Sequence, residues 1–241
     1  MTARLFVTPG AIAGDQATVT GEQHHYLARV MRLASGDMLT LLDGQGNAYD
    51  ARVTSVDKER LVASIVASRS IPLPPVAVTL YQGLPKADKF DLILQKATEL
   101  GVDCIVPLAA SHSVVQIGAD KRDAKRARWR KIVEEAAEQC ERGRVPRVEV
   151  PAQLSSVRLA AGELGLILAE RDQTSSLLAL LPSAAPPAIA LFVGPEGGWT
   201  PAEIALLERA GAVRATLGPR ILRTETAALA ALALIMGRYE L

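Results

Sequence analysis

The hydrophobic pattern of the chain changes its period once, near residue 70. Before that point apolar and polar positions alternate, as in Met38–Leu42 and Tyr49–Val56, and Leu61–Val66 is a further apolar strand. A period of two puts alternate side chains on one face of a strand. Asp43-Gly44 and Gly46-Asn47 separate these runs as turns. One short helical segment, His24 to Met31, interrupts them. Several short strands in this space predict a small β-barrel. Ile71-Pro72-Leu73-Pro74-Pro75 then reads as a linker, which divides the chain into residues 1–72 and 73–241.

Beyond the linker, strand patterns alternate with helical ones. Val76–Leu80 is a strand, and Lys86–Leu100 a helix with Phe90, Ile93, Ala97 and Leu100 on one face and Gly101 as its stop. Cys104-Ile105-Val106 is the next strand, and a long helix runs from about Arg122 to Glu141. Leu164–Leu168 and Ile189–Val193 are apolar without alternation, as strands buried on both faces must be. The larger part is therefore an α/β domain with a mostly parallel sheet. Thr200-Pro201-Ala202-Glu203 has the form of a capping box with proline at the first helical position, and Gly211 stands where that helix ends. Thr224 or Thr226 can cap the last helix. From Ala227 to about Met236 that helix is apolar on every side, so it needs cover all round. It is shorter than the ~20 residues that span a bilayer. It belongs between the sheet and a second cover, for which a partner subunit is suitable.

Composition adds limits. A chain of 241 residues holds one large domain or two ordinary ones, and 49% apolar residues supply a full core. The net charge of +1 argues against a general nucleic-acid binder. Cys104 and Cys140 have no metal-ligand spacing, and three histidines, with His24 and His25 adjacent, make no metal site. The start, Met1 to Val7, has no signal-peptide apolar region, so a cytoplasmic protein without a membrane segment is expected.

Local charge is more informative. Lys121–Lys131 contains seven basic residues and one acid, followed by Glu134, Glu135, Glu138 and Glu141. This order opposes the helix dipole, which favours acids first by ~0.3–1 kcal/mol each. Pairs such as Arg130–Glu134 and Lys131–Glu135 return part of that. The cluster is either a solvated, salt-bridged face or a site for RNA phosphates, with Arg122, Arg126, Arg128 and Arg130 as the contacts and Arg142, Arg144 and Arg147 extending it. Arg29 and Arg32, near His24 and His25, form a second basic patch; Trp129 reads as core.

Two glycine loops carry the candidate chemistry. Gly194-Pro195-Glu196-Gly197-Gly198 follows one apolar run and opens a helix; Leu217-Gly218-Pro219-Arg220-Ile221-Leu222-Arg223-Thr224-Glu225-Thr226-Ala227 does the same one strand–helix–strand unit later. Loops at the carboxyl edge of an open α/β sheet expose backbone groups to small ligands. Neither loop is a P-loop or a dinucleotide fingerprint. Glu196 among the glycines would repel a pyrophosphate. The loops suit a nucleoside-like ligand without phosphates, a cation favoured, and S-adenosylmethionine has those properties. A plain tight turn also accounts for Gly197-Gly198.

These two motifs closely resemble the signature of the RsmE-type uridine-N3 methyltransferases of 16S rRNA, within the SPOUT, or trefoil-knot, methyltransferases. Gln95–Val102 is similar to the family's first long helix, and Trp129, Glu135–Cys140 and Arg144–Pro146 to its second. His24–Arg32 and Asp43-Gly44 resemble its PUA-like RNA-binding barrel. The resemblance implies an α/β trefoil-knot domain that threads the last helix through a loop, a small N-terminal barrel, and a homodimer with the pocket near the subunit interface. It implies S-adenosyl-L-methionine as cofactor, S-adenosyl-L-homocysteine as product, and 16S rRNA, free or within an assembled small ribosomal subunit, as substrate. The implied cofactor contacts are Leu168, Gly194, Pro195, Glu196, Gly198, Leu217, Gly218, Ile221, Leu222, Thr224, Thr226 and Ala227. The implied RNA contacts include Arg4 beside Arg29, Arg32 and the helical arginines. Arg220 and Arg223 are candidates to stabilise a uracil anion, and Glu196 or Glu225 to accept its N3 proton or to hold the loop and the sulfonium. The chain departs from the family at His112, where relatives often have arginine, and in Leu168–Arg171, which lacks a histidine often seen there. A SPOUT enzyme acting on another RNA, or a non-catalytic RNA-binding assembly protein, are the other readings.

Overall fold

The structure, a computed structural model, describes residues 3–8, 10–113, 115, 117–169 and 175–240. Glu170 and Arg171, half of the second departure from the family, lie outside the described residues. The chain divides into two compact units, Met1–Leu73 with Ala137–Val145, and Pro74–Ala136 with Pro146–Leu241.

The first unit is built on strands β1 (Ala3–Phe6), β2 (Ile12–Ala13), β3 (Gln16–Thr20), β4 (Met38–Leu42), β5 (Asn47–Val56) and β6 (Arg60–Ser70). They pair in the order β1-β4-β5-β6-β3-β2, antiparallel except for β1 with β4. Helix α1 (Gly21–His25) continues as one π-helical turn, Tyr26–Val30. Alternation sorts the side chains between two faces. Leu5, Leu39, Leu41, Val53, Leu61 and Ala63 join the main core, with Leu27 from the π turn. Phe6 and Leu42, register partners on the other face, pack with Ala48 and with Ala137 from the returning segment. The Phe6 amide donates to the Glu138 carboxylate at 2.8 Å, and the Gly46 amide to the Gly143 carbonyl at 3.1 Å. A side chain at Gly143 would meet Ile71 Cβ at 2.8 Å, so glycine lets this segment lie against the sheet.

The second unit carries strands β7 (Ala77–Gly83), β8 (Cys104–Ala109), β9 (Arg147–Val148), β10 (Ala152–Gln153), β11 (Leu164–Leu168), β12 (Ala188–Val193) and β13 (Val213–Ala215). Every pairing is parallel, in the order β10-β8-β7-β12-β11-β13 with β9 also on β8. The helices are α2 (Ala87–Glu99), α3 (Arg122–Gln139), α4 (Leu177–Leu180), α5 (Pro201–Arg209) and α6 (Thr224–Tyr239). One face of the sheet packs Val106, Ile167 and Phe192 against Leu207 of α5, with Tyr81 stacked on Phe192 at 4.6 Å. Leu80, Ile105 and Leu191, the alternate residues, are fully buried too. Trp129 is core, edge-on to Phe90 at 4.9 Å.

Adjacent central strands β7 and β12 send their connections in opposite directions, to β8 on one side and to β13 beyond β11 on the other. Ligands of open α/β sheets lie outside the carboxyl ends of strands at such a switch point. After β13 the chain returns from the sheet edge to this centre, where α6 begins beside the ends of β7 and β12 and lies against α2.

Candidate active site

Glycine permits the close approach of strand ends at the switch point. A side chain at Gly83 would stand 2.6 Å from Pro195, and one at Gly194 3.3 Å from the Gly198 backbone. Gly198 has φ +69° and Gly218 φ +109°, a region that suits glycine, yet a Cβ at either would meet nothing within 4 Å. A side chain at either position would therefore project into unfilled space.

The loops are locked to the head of α6. Neither threonine caps that helix, contrary to the sequence expectation: Arg223 is the N-cap residue and makes no side-chain cap bond. The Thr224 hydroxyl instead donates to the Gly194 carbonyl at 2.5 Å and accepts from Gln82 Nε2 at 2.9 Å. Gln82, fully buried at the end of β7, also donates to the Gly83 carbonyl at 2.9 Å and lies 3.4 Å from that of Gly194. One buried amide thus ties the ends of β7 and β12 to α6. Gln82 Oε1 is buried without a hydrogen-bond partner.

Charge gathers beside this lock. Lys89, in the first turn of α2, lies 3.3 Å from Glu196 and 3.7 Å from Glu225. The Lys86 amide donates to Glu196 at 3.2 Å. Burial raises the Glu196 pKa, but backbone donors and the Lys89 ammonium outweigh it and hold the carboxyl below the ordinary range. His112 Nδ1 donates to the Gly197 carbonyl at 2.9 Å and sits 3.2 Å from that of Gly198, because two carbonyls can only accept. The Ser111 amide donates to Glu203 at 2.7 Å, and Glu203 completes the expected capping box with Thr200. Burial pushes the Glu203 carboxyl up, and its Thr200 and Ser111 donors bring it below 4.5.

The candidate residues distribute as follows. Gly194, Pro195, Glu196, Gly198, Thr224 and Glu225 are brought together by the bonds above. Leu168 ends β11, half-buried; Leu217, Leu222 and Ala227 are half-buried, and Gly218, Arg220, Ile221, Arg223 and Thr226 are exposed. Thr216 brackets the second loop: its hydroxyl accepts from the Gly218 amide at 3.1 Å, and its backbone bridges Ser176. Gln82, Lys86 and Lys89 were not among the sequence candidates. The available signal was two lysines at a helix start, against the dipole.

The basic candidates fall into two groups. In the first unit Arg29 and Arg32 are exposed, Arg32 at φ +56°, whereas Arg4 pairs with Glu141 at 2.5 Å. A cleft of about 610 Å³ lies beside Arg29, lined also by His24, His25 and Lys58. In the second unit Arg128 grips Asp91 with both terminal nitrogens, and Arg126 donates to the Val148 carbonyl at 2.8 Å and pairs with Glu149 at 3.8 Å. Arg130 is exposed, and Arg122 is half-buried with a buried, unpartnered Nε. Among the described residues no group of three or more His, Cys, Asp or Glu side chains is placed to hold a metal.

Residues 72–236 match the family described as an RNA methyltransferase domain, and residues 19–66 an RNA methyltransferase PUA domain. Ribosomal RNA small subunit methyltransferase E of Bacillus subtilis is 35% identical over 93% of this chain and 91% of its own length. The protein of that name from Synechocystis is 38% identical over 100% of this chain and 79% of its own. The crystal structure of ribosomal RNA small subunit methyltransferase E from Neisseria gonorrhoeae, bound to S-adenosyl methionine, superposes with a TM-score of 0.89 at 32% identity, covering 99% of this chain and 98% of that one. With both units matched and this likeness running nearly end to end, the chain belongs to the ribosomal RNA small subunit methyltransferase E family of RNA methyltransferases.

Proposed function

We propose that this protein methylates N3 of one uridine in 16S rRNA, using S-adenosyl-L-methionine, and that it acts as a cytoplasmic homodimer on free rRNA or within the small ribosomal subunit. The observation that carries the reading is the convergence of Gly194–Gly198 and the 217–227 loop on the Thr224–Gly194 hydrogen bond, around space that Gly198 and Gly218 leave open.

The residues present fit the cofactor. Glu196, Glu225 and Lys89 together carry one negative charge, which disfavours a pyrophosphate and favours a sulfonium. Exposed backbone groups of both loops suit an adenine and a ribose, without a phosphate cradle. When bound, the cofactor supplies a methyl carbon activated by the sulfonium and leaves as the neutral thioether.

The chain's own task is the uracil. N3–H is a weak acid, so the site must favour its anion. Arg220 and Arg223, exposed in the second loop, are assigned to that developing charge. A carboxyl held below its ordinary range is a poor proton acceptor, so Glu196 is assigned to holding the glycine loop. Glu225, whose Oε2 is buried and makes no hydrogen bond, is assigned as the proton acceptor. N3 lies on the pairing edge, so the uridine is taken unpaired or extruded. Arg29 and Arg32 are assigned to RNA phosphates. Arg126 and Arg128 contribute less, because their charges are already matched within the protein.

A second copy is assigned to the uncovered side of α6. That helix buries Ala228, Ala231, Leu232, Ile235 and Met236 but leaves Leu234 at 37%, while Ile221 in the preceding loop stands 60% exposed. Titration calorimetry tests the pocket, with S-adenosylmethionine binding the full chain and ATP, a phosphate-bearing control, failing to bind. Tight binding of ATP instead would overturn the assignment. Sedimentation tests the dimer, and a monomer at micromolar concentration contradicts it.

A further inference from the structure

The head of α6 is tied to the glycine loop twice, by chemically different means. One tie is neutral and direct, from Thr224 to Gly194. The other is ionic and runs through a third element: Glu225 and Glu196 both meet the ammonium of Lys89 on α2. Lys89 sits in the first turn of its helix, where the dipole disfavours a cation. Its place there is matched by the two carboxylates, and the Lys86 amide donates to the same Glu196 oxygen. All three side chains are mostly shielded: Lys89 is 26% exposed, Glu196 24% and Glu225 12%. Glu225 Oε2 is buried without a hydrogen-bond donor, so the lysine charge is what balances it among the described residues.

We propose that Lys89 is a positioning residue of the cofactor pocket: its ammonium holds Glu196 and Glu225 together and so sets the spacing between the glycine loop and α6. The proposal rests on the reading of this pocket as the S-adenosylmethionine site. The two carboxylate oxygens share one ammonium at 3.3 and 3.7 Å, so they stand no more than about 7 Å apart. With the lysine gone, the tie becomes a repulsion. Removing the lysine alone is therefore worse than removing it together with one of its acids, the reverse of what loss of packing gives.

The experiment measures S-adenosylmethionine affinity by calorimetry for the wild type, K89M, K89R, E225Q and K89M/E225Q, with thermal unfolding of each and single-turnover methyl transfer for the lysine variants. K89M is expected to weaken binding by about tenfold while the rate at saturating cofactor falls by less, about threefold. K89R, which keeps the charge, should recover most of the affinity. K89M/E225Q should bind more tightly than K89M, because relief of the carboxylate repulsion outweighs the one negative charge withdrawn from the sulfonium. Affinity of K89M within about twofold of wild type overturns the proposal, and so does a double variant no tighter than K89M. If K89M does not fold, K89R decides: binding close to wild type supports the role of charge, and binding as weak as that of a truncated side chain, K89A, overturns it. A wild type that does not bind S-adenosylmethionine contradicts the pocket assignment itself, before any variant is compared.

Discussion

Thr224→Val isolates the neutral lock. The exchange keeps the side-chain shape and removes one hydroxyl, at a position 6% exposed. Two hydrogen bonds go with it: the one donated to Gly194 at 2.5 Å and the one accepted from Gln82 at 2.9 Å. Each contributes ~0.5–1.5 kcal/mol net, so the loss is about 1–3 kcal/mol. Partial compensation is built in, because Gln82 Nε2 keeps the Gly83 carbonyl at 2.9 Å and lies 3.4 Å from that of Gly194. About 2 kcal/mol lowers the melting temperature of a domain this size by roughly 4–8 °C. Cofactor affinity should fall by roughly fivefold, the factor that corresponds to 1 kcal/mol. Differential scanning calorimetry reads the first effect and titration calorimetry the second. Thr226→Val, at an exposed site two residues on, is the control and should change stability by less than ~0.5 kcal/mol. If Thr224→Val melts within about 1 °C of wild type and binds S-adenosylmethionine unchanged, the lock does not organise the pocket.

Other consequences are equally direct. Gly198→Val should abolish measurable cofactor binding, because the new side chain enters open space beside the loop and the backbone sits at φ +69°, strained by ~1–2 kcal/mol for an L-residue; normal binding in calorimetry would place the ligand elsewhere. Arg220→Ala or Arg223→Ala should slow single-turnover methyl transfer by ~10²–10³ with a smaller loss of cofactor affinity, since the uracil anion forms only on the way to the transition state; lost affinity with a normal rate at saturation would reduce these arginines to pocket walls. The folded Glu203 carboxyl is depressed below 4.5, so its stabilisation is complete above that pH and is lost as pH falls through the lower folded value. Glu203→Gln should therefore flatten the acid limb of stability below about pH 4.5, as read by denaturant unfolding from pH 3 to 7; an unchanged limb contradicts the assignment.

Periodicity located the longer strands because burial on one face or two writes directly into the pattern, whereas β1, β2, β3, β9 and β10 have no counterpart among the strands it names. Leu164–Leu168 is a strand with the residues expected, and Ala188–Val193 begins one residue before its expected start. The capping box at Thr200 is legible for a similar reason: Thr200 and Glu203 satisfy each other within one turn. Long-range contacts leave no such trace. Gln82 and Thr224 are separated by 142 residues, and neither has a periodic reason to be polar. Local spacing offers Thr224 or Thr226 as a cap, the ordinary use of a threonine before a helix. The basic run at Lys121–Lys131 shows the limit for charge. Asp91, which holds Arg128, comes from another helix and is invisible to spacing along α3. His112 is a further case: it donates to the glycine loop 85 residues away, a use that local spacing does not reveal.

Methyl transfer to a defined base is the decisive measurement. The purified protein should be incubated with S-adenosylmethionine and with 16S rRNA, free and within small ribosomal subunits, from a strain lacking the gene. Nuclease digestion and mass mapping then locate any added methyl group. One methyl on N3 of a single uridine, absent from the digest without protein, is the expected result. No added methyl group, or one on a ribose, on another base or only on a different RNA, would contradict the proposed function.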